Sequence, residues 1–128
     1  MHTLSIGEVA CRAGISASAI RYYEKVGLVP EPERIGGKRR YEPEVIQRLS
    51  LIEAAKRLGL TIKEVYTLLY GFPAEAAASE RWRLLASRKL EEVDELIAQL
   101  QQMRHLLKEA LRCDCTSLDE CARLLSKS

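Results

Sequence analysis

The chain has 128 residues, 47% hydrophobic and 30% charged, and its 20 basic residues nearly balance 18 acidic ones. This composition supports a core of ordinary size, which excludes an intrinsically disordered protein. No apolar run approaches the roughly 20 residues of a membrane helix, and the start Met1-His2-Thr3 lacks a signal-peptide core, so we expect a soluble cytoplasmic protein.

Two short helices are predicted at the start of the chain. A serine followed three residues later by a glutamate is a capping-box signature, and it occurs at Ser5 and Glu8. Gly14 is placed to end this first helix, and Ser16 can cap a second one over residues 17–26. Two helices joined by a tight glycine turn predict a helix-turn-helix.

A small hairpin and a helix pair are predicted next. Gly36 and Gly37 lie between β-compatible residues, which indicates a tight turn and a hairpin, or wing, over residues 34–41. Pro43 suits the first turn of a third helix, which runs to about Leu58. A second capping box predicts a fourth helix over residues 61–70.

A long helix without glycine or proline is predicted over residues 75–111. Apolar residues recur along it at steps of four and three, namely Ala86, Leu90, Val93, Ile97, Leu100, Met103, Leu107 and Ala110. These residues form a single apolar seam about 50 Å long, and the rest of the same chain is too small to cover it. We therefore expect a second copy of the chain to cover it, in an antiparallel coiled coil that makes a homodimer.

Basic residues are concentrated where the second helix and the hairpin meet. The helix carries Arg21 together with Tyr22 and Tyr23, and the hairpin places four cations within seven positions that contain no acid, namely Arg34, Lys38, Arg39 and Arg40. DNA phosphates require such cations, so the pattern favours a DNA-binding surface. The alternatives are that the basic run is only a solvated turn and that one of the two tyrosines belongs to the core.

Several motifs resemble the MerR family of bacterial transcription regulators. They are Ile6-Gly7-Glu8-Val9-Ala10, Ala19-Ile20-Arg21-Tyr22-Tyr23-Glu24, Gly27-Leu28-Val29 and Arg39-Arg40-Tyr41. The resemblance implies a dimer that binds a palindromic operator in a promoter with an overlong spacer. On binding an inducer, such a dimer distorts the DNA so that RNA polymerase reads both promoter elements. The resemblance also implies that six residues contact DNA, namely Arg21, Tyr23, Arg34, Lys38, Arg39 and Tyr41.

Three of the four cysteines, Cys113, Cys115 and Cys121, lie within nine residues near the end of the chain. Thiolates are soft donors, and three in one loop can close around Cu(I), Zn(II), Cd(II), Hg(II) or Pb(II). The alternative is that the three cysteines are ordinary small buried residues, and it is disfavoured because acidic residues flank them. Cys11 is the reverse case, because it follows Val9 and Ala10 on a short helix, and we expect it in the core.

The resemblance leaves the inducer open. In the family's metal sensors a residue near the start of the dimerisation helix reaches the partner's loop, and Ser79 occupies that place, as in copper-type sensors with two cysteine ligands. The extra thiol of Cys115 instead allows a three-thiolate Hg(II) site, or a Zn(II) site completed by His105 or water. The cysteine spacing also resembles part of a SoxR-like iron–sulfur loop, but Ala110 stands where its fourth cysteine is expected.

Other classes of function fit the sequence less well. An enzyme is disfavoured, since the chain has no glycine-rich phosphate loop and only two histidines. A metal-buffering protein would explain the cysteines but not the basic hairpin.

We therefore predict a mainly α fold and a metal-responsive transcription activator. Residues 1–72 form a winged helix-turn-helix DNA-binding domain with a helix pair. Residues 75–111 form the dimerisation helix, and residues 112–128 form a metal-binding loop and a terminal helix capped by Ser117. Its partners are promoter DNA, RNA polymerase and a second copy of the chain.

Overall fold

The computed structural model describes residues 2–125, and within them six helices and two strands are formed. The helices are α1 (Ile6–Ala13), α2 (Ala17–Lys25), α3 (Val45–Arg57), α4 (Ile62–Tyr70), α5 (Ala78–Leu111) and α6 (Leu118–Leu125). The strands are β1 (Glu33–Ile35) and β2 (Lys38–Arg40). The predicted mainly α fold with a small wing is confirmed. No described helix is both long and apolar enough to cross a bilayer.

The chain divides into two compact units, and the division falls inside α5, between Lys89 and Leu90. In the first turns of α5, Leu85 is buried in the core of the first unit, whereas every α5 residue from Leu90 onward is exposed. This division follows packing. The boundaries predicted from the sequence, at residues 72–75 and 111–112, follow the ends of elements and stay predictions.

The core of the first unit is built from α1 to α4, the hairpin flank and the start of α5. Its fully buried side chains include Val9 from α1, Ile20 from α2, Leu49 and Ile52 from α3, and Val65 from α4. Each helix therefore contributes one apolar stripe to a shared interior, as the periodicity of amphipathic helices requires. This interior supports α2 and the hairpin, which carry the predicted DNA-binding residues.

The predicted helix caps are present. The Ser5 Oγ accepts from the Glu8 backbone N–H at 3.1 Å, and a Glu8 carboxylate oxygen accepts from the Ser5 N–H at 3.0 Å. Thr61 and Glu64 form the same reciprocal pair at the start of α4. Gly14 follows α1 with φ of 71°, a left-handed conformation that glycine adopts without a Cβ penalty. Local side-chain chemistry thus fixes the helix starts.

The predicted hairpin is also confirmed. Strands β1 and β2 pair antiparallel, with Arg34 opposite Arg39, and both turn residues, Gly36 and Gly37, have positive φ angles of 60° and 80°. Two successive positive φ angles define the type I′ turn that matches the twist of a two-residue hairpin. Backbone hydrogen bonds of 2.8 Å in both directions between Leu4 and Tyr41 attach the hairpin's end to the start of the chain.

Two expectations need correction. Cys11 is exposed, so its assignment to the core was wrong. On α1 the buried residue is Val9, and a residue two positions later lies about 200° further round a helix with 3.6 residues per turn, on the opposite face. The long helix begins at Ala78 rather than at residue 75, because residues 74–77 form a turn in which the Ala76 N–H donates to the Pro73 carbonyl.

The second unit contains the rest of α5, a loop and α6. The apolar residues of the predicted seam are exposed here, including Leu90 (61%), Leu100 (60%) and Leu107 (64%). After Leu111 the chain leaves the helix, and α6 begins after Ser117, whose Oγ accepts from the Glu120 N–H at 3.2 Å as the predicted cap.

Candidate functional site

A polar recess of about 300 Å³ lies between α2 and the hairpin. Its lining includes three of the predicted DNA-contacting cations, Arg21 from α2 and Arg34 and Arg39 from the two strands. Arg21 and Arg34 are exposed, and so is Lys38, which lies at the turn end of β2 outside the recess. The fold therefore gathers cations from separate segments on one face, as phosphate binding requires.

One carboxylate organises this face. Glu24, on α2, is nearly buried, with 8% of its side chain exposed. Its Oε2 accepts from the Arg39 Nε at 3.2 Å, and its Oε1 accepts from the Tyr41 hydroxyl. This pairing could not be predicted from the sequence, because the partners lie 15 and 17 residues away along the chain.

Tyr23 and Tyr41, the two tyrosines predicted to contact DNA, are buried. Tyr23 donates from its hydroxyl to Glu53 at 2.6 Å and accepts from the Lys56 Nζ at 2.9 Å. Burial, followed by the hydrogen bond to Glu53, raises the pKa of Tyr23. Burial and the hydrogen bond to Glu24 raise the pKa of Tyr41 in the same way. Direct contact of Tyr23 or Tyr41 with DNA stays a prediction. Of the neighbouring tyrosines Tyr22 and Tyr23, Tyr22 is exposed and Tyr23 lies in the core, so one of these two is a core residue, as expected.

The basic run of the hairpin is only partly solvated. Arg40 is half-buried and donates to the Thr3 hydroxyl at 3.0 Å and to the Thr3 carbonyl at 2.8 Å. Arg39 is held by Glu24, as above. Two of the four cations are therefore ordered by contacts within the protein, which disfavours the alternative of a simple solvated turn and leaves Arg34 and Lys38 exposed to solvent.

The three clustered cysteines converge on one point. Cys113 follows the end of α5, Cys115 lies in the loop, and Cys121 is on α6. Their Sγ atoms all lie within 4.8 Å of one another, and those of Cys113 and Cys121 are 3.3 Å apart. The Cys115 backbone N–H points to the Cys113 Sγ at 3.4 Å. Three soft donors this close can bind one thiophilic ion, so the donor set fits a metal site.

The thiols perturb one another. Hydrogen bonds from Cys115, through its thiol and then its backbone N–H, lower the pKa of Cys113, and Cys121 adds to this effect. The neighbouring thiols of Cys113 and Cys121 raise the pKa of Cys115 to about 12. The thiolate, not the thiol, is the form that ligates a metal. Deprotonation is therefore easier at Cys113 than at Cys115.

A carboxylate missed by the sequence analysis shapes the loop. The Glu120 Oε2 accepts from the Thr116 backbone N–H at 3.2 Å and from the Thr116 hydroxyl at 3.3 Å. This pair closes the segment between Cys115 and Cys121. The spacing of four residues was a usable signal, because a carboxylate in the first turn of α6 can reach back to loop donors.

Two further residues were predicted near the metal. Ser79 is exposed in the first turn of α5, and His105 is exposed further along the same helix. The assigned roles of both residues stay predictions.

The chain matches two family models. Residues 4–71 match the model described as MerR HTH family regulatory protein, and residues 46–110 match the model described as MerR, DNA binding. Together these matches cover the first unit and most of α5.

Curated relatives and solved structures agree with these matches. The chain is 31% identical to the HTH-type transcriptional activator SoxR homolog of Chromobacterium violaceum, over 93% of this chain and 81% of that protein. It is 36% identical to the mercuric resistance operon regulatory protein of Shigella flexneri, over 90% and 78%. The crystal structure of PbrR691 from Ralstonia metallidurans CH34, in complex with lead(II), superposes with a TM-score of 0.76 at 29% identity, covering 98% of this chain and 99% of that one.

Proposed function

The chain belongs to the MerR family of transcription regulators, and from this premise we propose that it binds promoter DNA as a homodimer and changes transcription when a soft metal ion binds its cysteines. The observation that carries the proposal is the convergence of the Cys113, Cys115 and Cys121 sulfur atoms within 4.8 Å in a single chain. Together with the family's DNA-binding lobe, this gives one chain both a sensor and an output.

The DNA-binding surface consists of α2 and the hairpin. Arg21, Arg34 and Arg39 contact DNA, mostly its phosphates, because they line the recess where α2 and the hairpin meet, and the exposed Lys38 at the turn end of β2 adds a further contact. Tyr23 and Tyr41 belong to the same interface. In this chain their hydroxyls are held by internal carboxylates, so they also fix the position of α2 and of the hairpin.

The bound ion is a soft divalent ion held by three thiolates. A Cu(I) or Ag(I) ion needs only two thiolates in a line, whereas the third sulfur here lies within the same 4.8 Å group. The relatives point the same way, since one is named for mercuric resistance and another was solved with lead(II). This choice sets aside the copper-type assignment that Ser79 suggested, and Hg(II), Pb(II), Cd(II) and Zn(II) remain within the class.

The dimer forms through the exposed apolar seam of α5, and RNA polymerase is the partner at the promoter. Ion binding makes the dimer distort its operator, as the resemblance to the family implied. A dimer also suits a palindromic operator, because the two-fold symmetry of the protein then matches that of the DNA.

An iron–sulfur sensor is the second candidate, because one relative is a SoxR homolog. A cluster of this type requires four cysteine ligands. The described residues place three cysteines together, and Ala110 occupies the expected position of the fourth. Anaerobic reconstitution with iron and sulfide separates the candidates, since a cluster would give visible absorption bands that a simple thiolate site lacks.

The main test is a metal titration of the fully reduced protein with Cu(I), Hg(II), Pb(II), Cd(II) and Zn(II). Binding is followed through ultraviolet thiolate-to-metal bands and by native mass spectrometry. We expect one divalent ion per subunit and loss of binding in Cys113→Ser, Cys115→Ser and Cys121→Ser. The matched control is Cys11→Ser, which removes an exposed thiol outside the cluster and leaves binding intact.

Two results would contradict this proposal. Tight Cu(I) binding that survives Cys115→Ser would indicate a two-thiolate site. Failure of every ion to change transcription from an operator selected out of random duplex DNA, with purified RNA polymerase, would reject the regulatory function.

A further inference from the structure

Arg81, in the first turn of α5, donates every N–H of its guanidinium to main-chain carbonyls. A guanidinium carries five such hydrogens in a fixed plane. The Nε donates to Ala76, the Nη1 donates to Leu68 and Leu69, and the Nη2 donates to Pro73 and Ala74, over 3.1 to 3.4 Å. One side chain thus binds the end of α4 and three residues of the segment that joins α4 to α5.

These carbonyls need an external donor. Leu68 and Leu69 lie in the last turn of α4, where carbonyl oxygens lack the N–H of a following turn. A cation at this end also interacts favourably with the helix dipole. The guanidinium lies 5.7 Å from the centre of the Phe72 ring, which covers one of its sides. Arg81 therefore caps α4 while it belongs to α5, and this fixes the direction in which α5 begins.

Other residues of α5 also contact the rest of the first unit. Trp82 packs against the core, Leu85 is buried in it, and the Lys89 Nζ lies 2.8 Å from a Glu64 carboxylate oxygen. Beyond Lys89, α5 continues without a break to Leu111, two residues before Cys113. Arg81 differs from these contact residues because its hydrogen bonds join α5 to both the end of α4 and the segment between the two helices, so a displacement of α5 relative to α4 has to change them.

We propose that Arg81 is the positioning residue that transmits ion binding at the cysteines to the DNA-binding lobe. The inference rests on the proposed function, and it adds how the signal passes. Neither the ion nor the DNA needs to touch Arg81 for this role. A lysine cannot replace it, because a single ammonium cannot reach five carbonyls spread over nine residues.

The test compares Arg81→Ala and Arg81→Lys with the matched control Arg83→Ala. Arg83 is an exposed arginine two positions further along the same helix. Four quantities are measured on each full-length protein: the Hg(II) stoichiometry, the affinity of the ion-free protein for its selected operator, the thermal unfolding midpoint, and Hg(II)-dependent transcription with purified RNA polymerase.

We expect Arg81→Ala to keep the Hg(II) stoichiometry and operator affinity of the wild type while its induction ratio falls about fivefold or more, the lower range of allosteric coupling. Arg81→Lys should give a smaller fall, and Arg83→Ala none. A purely structural role would not separate induction from binding in this way.

An Arg81→Ala protein with wild-type induction would overturn the inference, and so would one that has lost operator binding in the ion-free state. If Arg81→Ala does not fold, Arg81→Lys decides, since wild-type induction in that variant overturns the inference equally. Failure of the wild type and of Arg83→Ala to respond to any ion would instead reject the proposed function.

Discussion

Arg39 donates from its Nε to the Glu24 Oε2 across 3.2 Å, so one of the cations of the DNA-binding face is already paired within the protein. The same carboxylate accepts from the Tyr41 hydroxyl. Glu24 is therefore the shared acceptor that attaches the hairpin to α2. A phosphate that approaches Arg39 therefore meets a guanidinium that is held in place, but Glu24 neutralises part of the guanidinium charge.

Substitution of Glu24 should destabilise the protein. Glu24→Ala leaves the donors of Arg39 and Tyr41 without their acceptor, and we expect the free energy of unfolding to fall by about 1–3 kcal/mol. Glu24→Gln keeps one acceptor oxygen and should cost less. Urea denaturation measures both. Glu31→Ala, an exposed carboxylate at the same recess, is the control, and equal losses at Glu24 and Glu31 would contradict the role given to Glu24.

The exposed cations of the hairpin should determine the salt dependence of DNA binding. The logarithm of the binding constant falls with the logarithm of the salt concentration, and each lost phosphate contact reduces the steepness of this fall by about one. In a dimer, Arg34→Ala or Lys38→Ala removes two contacts, so a reduction of about two is expected. Fluorescence anisotropy on the selected operator at several salt concentrations measures the slope. An unchanged slope, like that expected for Arg88→Ala on α5, would exclude the residue from the interface.

Much of the fold could be predicted because its signals are local. The Ser5 and Glu8 cap and the Gly36-Gly37 turn each depend on residues within three positions of one another, and the structure shows both as predicted. Helix caps and tight turns are decided by side chains and φ angles inside one short segment. A single sequence therefore contains all that is needed to place them.

What the sequence could not show is which distant residues meet. Glu24 and Arg81 were not singled out, because their partners come from other elements and a single charged residue carries no label for its acceptor. Cys11 was misplaced for a related reason, since the choice between the two faces of α1 depends on where α2 and α3 pack. The cysteine cluster was predicted because its three members are close in the chain as well as in space.

The loop carboxylate Glu120 should contribute to metal affinity without binding the ion. Its hydrogen bonds to Thr116 hold the turn between Cys115 and Cys121. Loss of such an outer partner costs about 10–100-fold in metal affinity, and we expect a tenfold loss or more for Glu120→Ala. Competition with a chromophoric chelator measures it. Asp119→Ala removes the adjacent exposed carboxylate and should change little, so equal effects would mean that only local charge matters.

Acid should destabilise the protein through Glu64. Its hydrogen bond from Lys89 and those from Thr61 lower the pKa of Glu64 below its ordinary value of 4.5. A carboxyl group with a lowered folded-state pKa stabilises the fold fully above its unfolded-state pKa, and this contribution is lost as the pH falls through the folded-state value. Glu64→Gln should therefore reduce stability at pH 7 and narrow the difference between pH 7 and pH 3.

Chemical denaturation at the two pH values measures this difference. The control is Glu75→Gln, which neutralises an exposed carboxylate elsewhere in the first unit. A pH dependence in Glu64→Gln as steep as that of the wild type would show that other groups carry the acid sensitivity.

The seam on α5 should hold the dimer together. Leu100 is 60% exposed in the single chain, so a partner helix has much apolar surface to cover. Leu100→Glu removes two leucines per dimer at about 1.5–3 kcal/mol each, which raises the dissociation constant by about 100-fold or more. Sedimentation equilibrium measures it. Gln99→Glu adds the same charge one position away, about 100° round the helix. If both variants stay equally dimeric, the dimer must use another surface, whereas selective dissociation of Leu100→Glu with loss of operator binding places the interface on the seam.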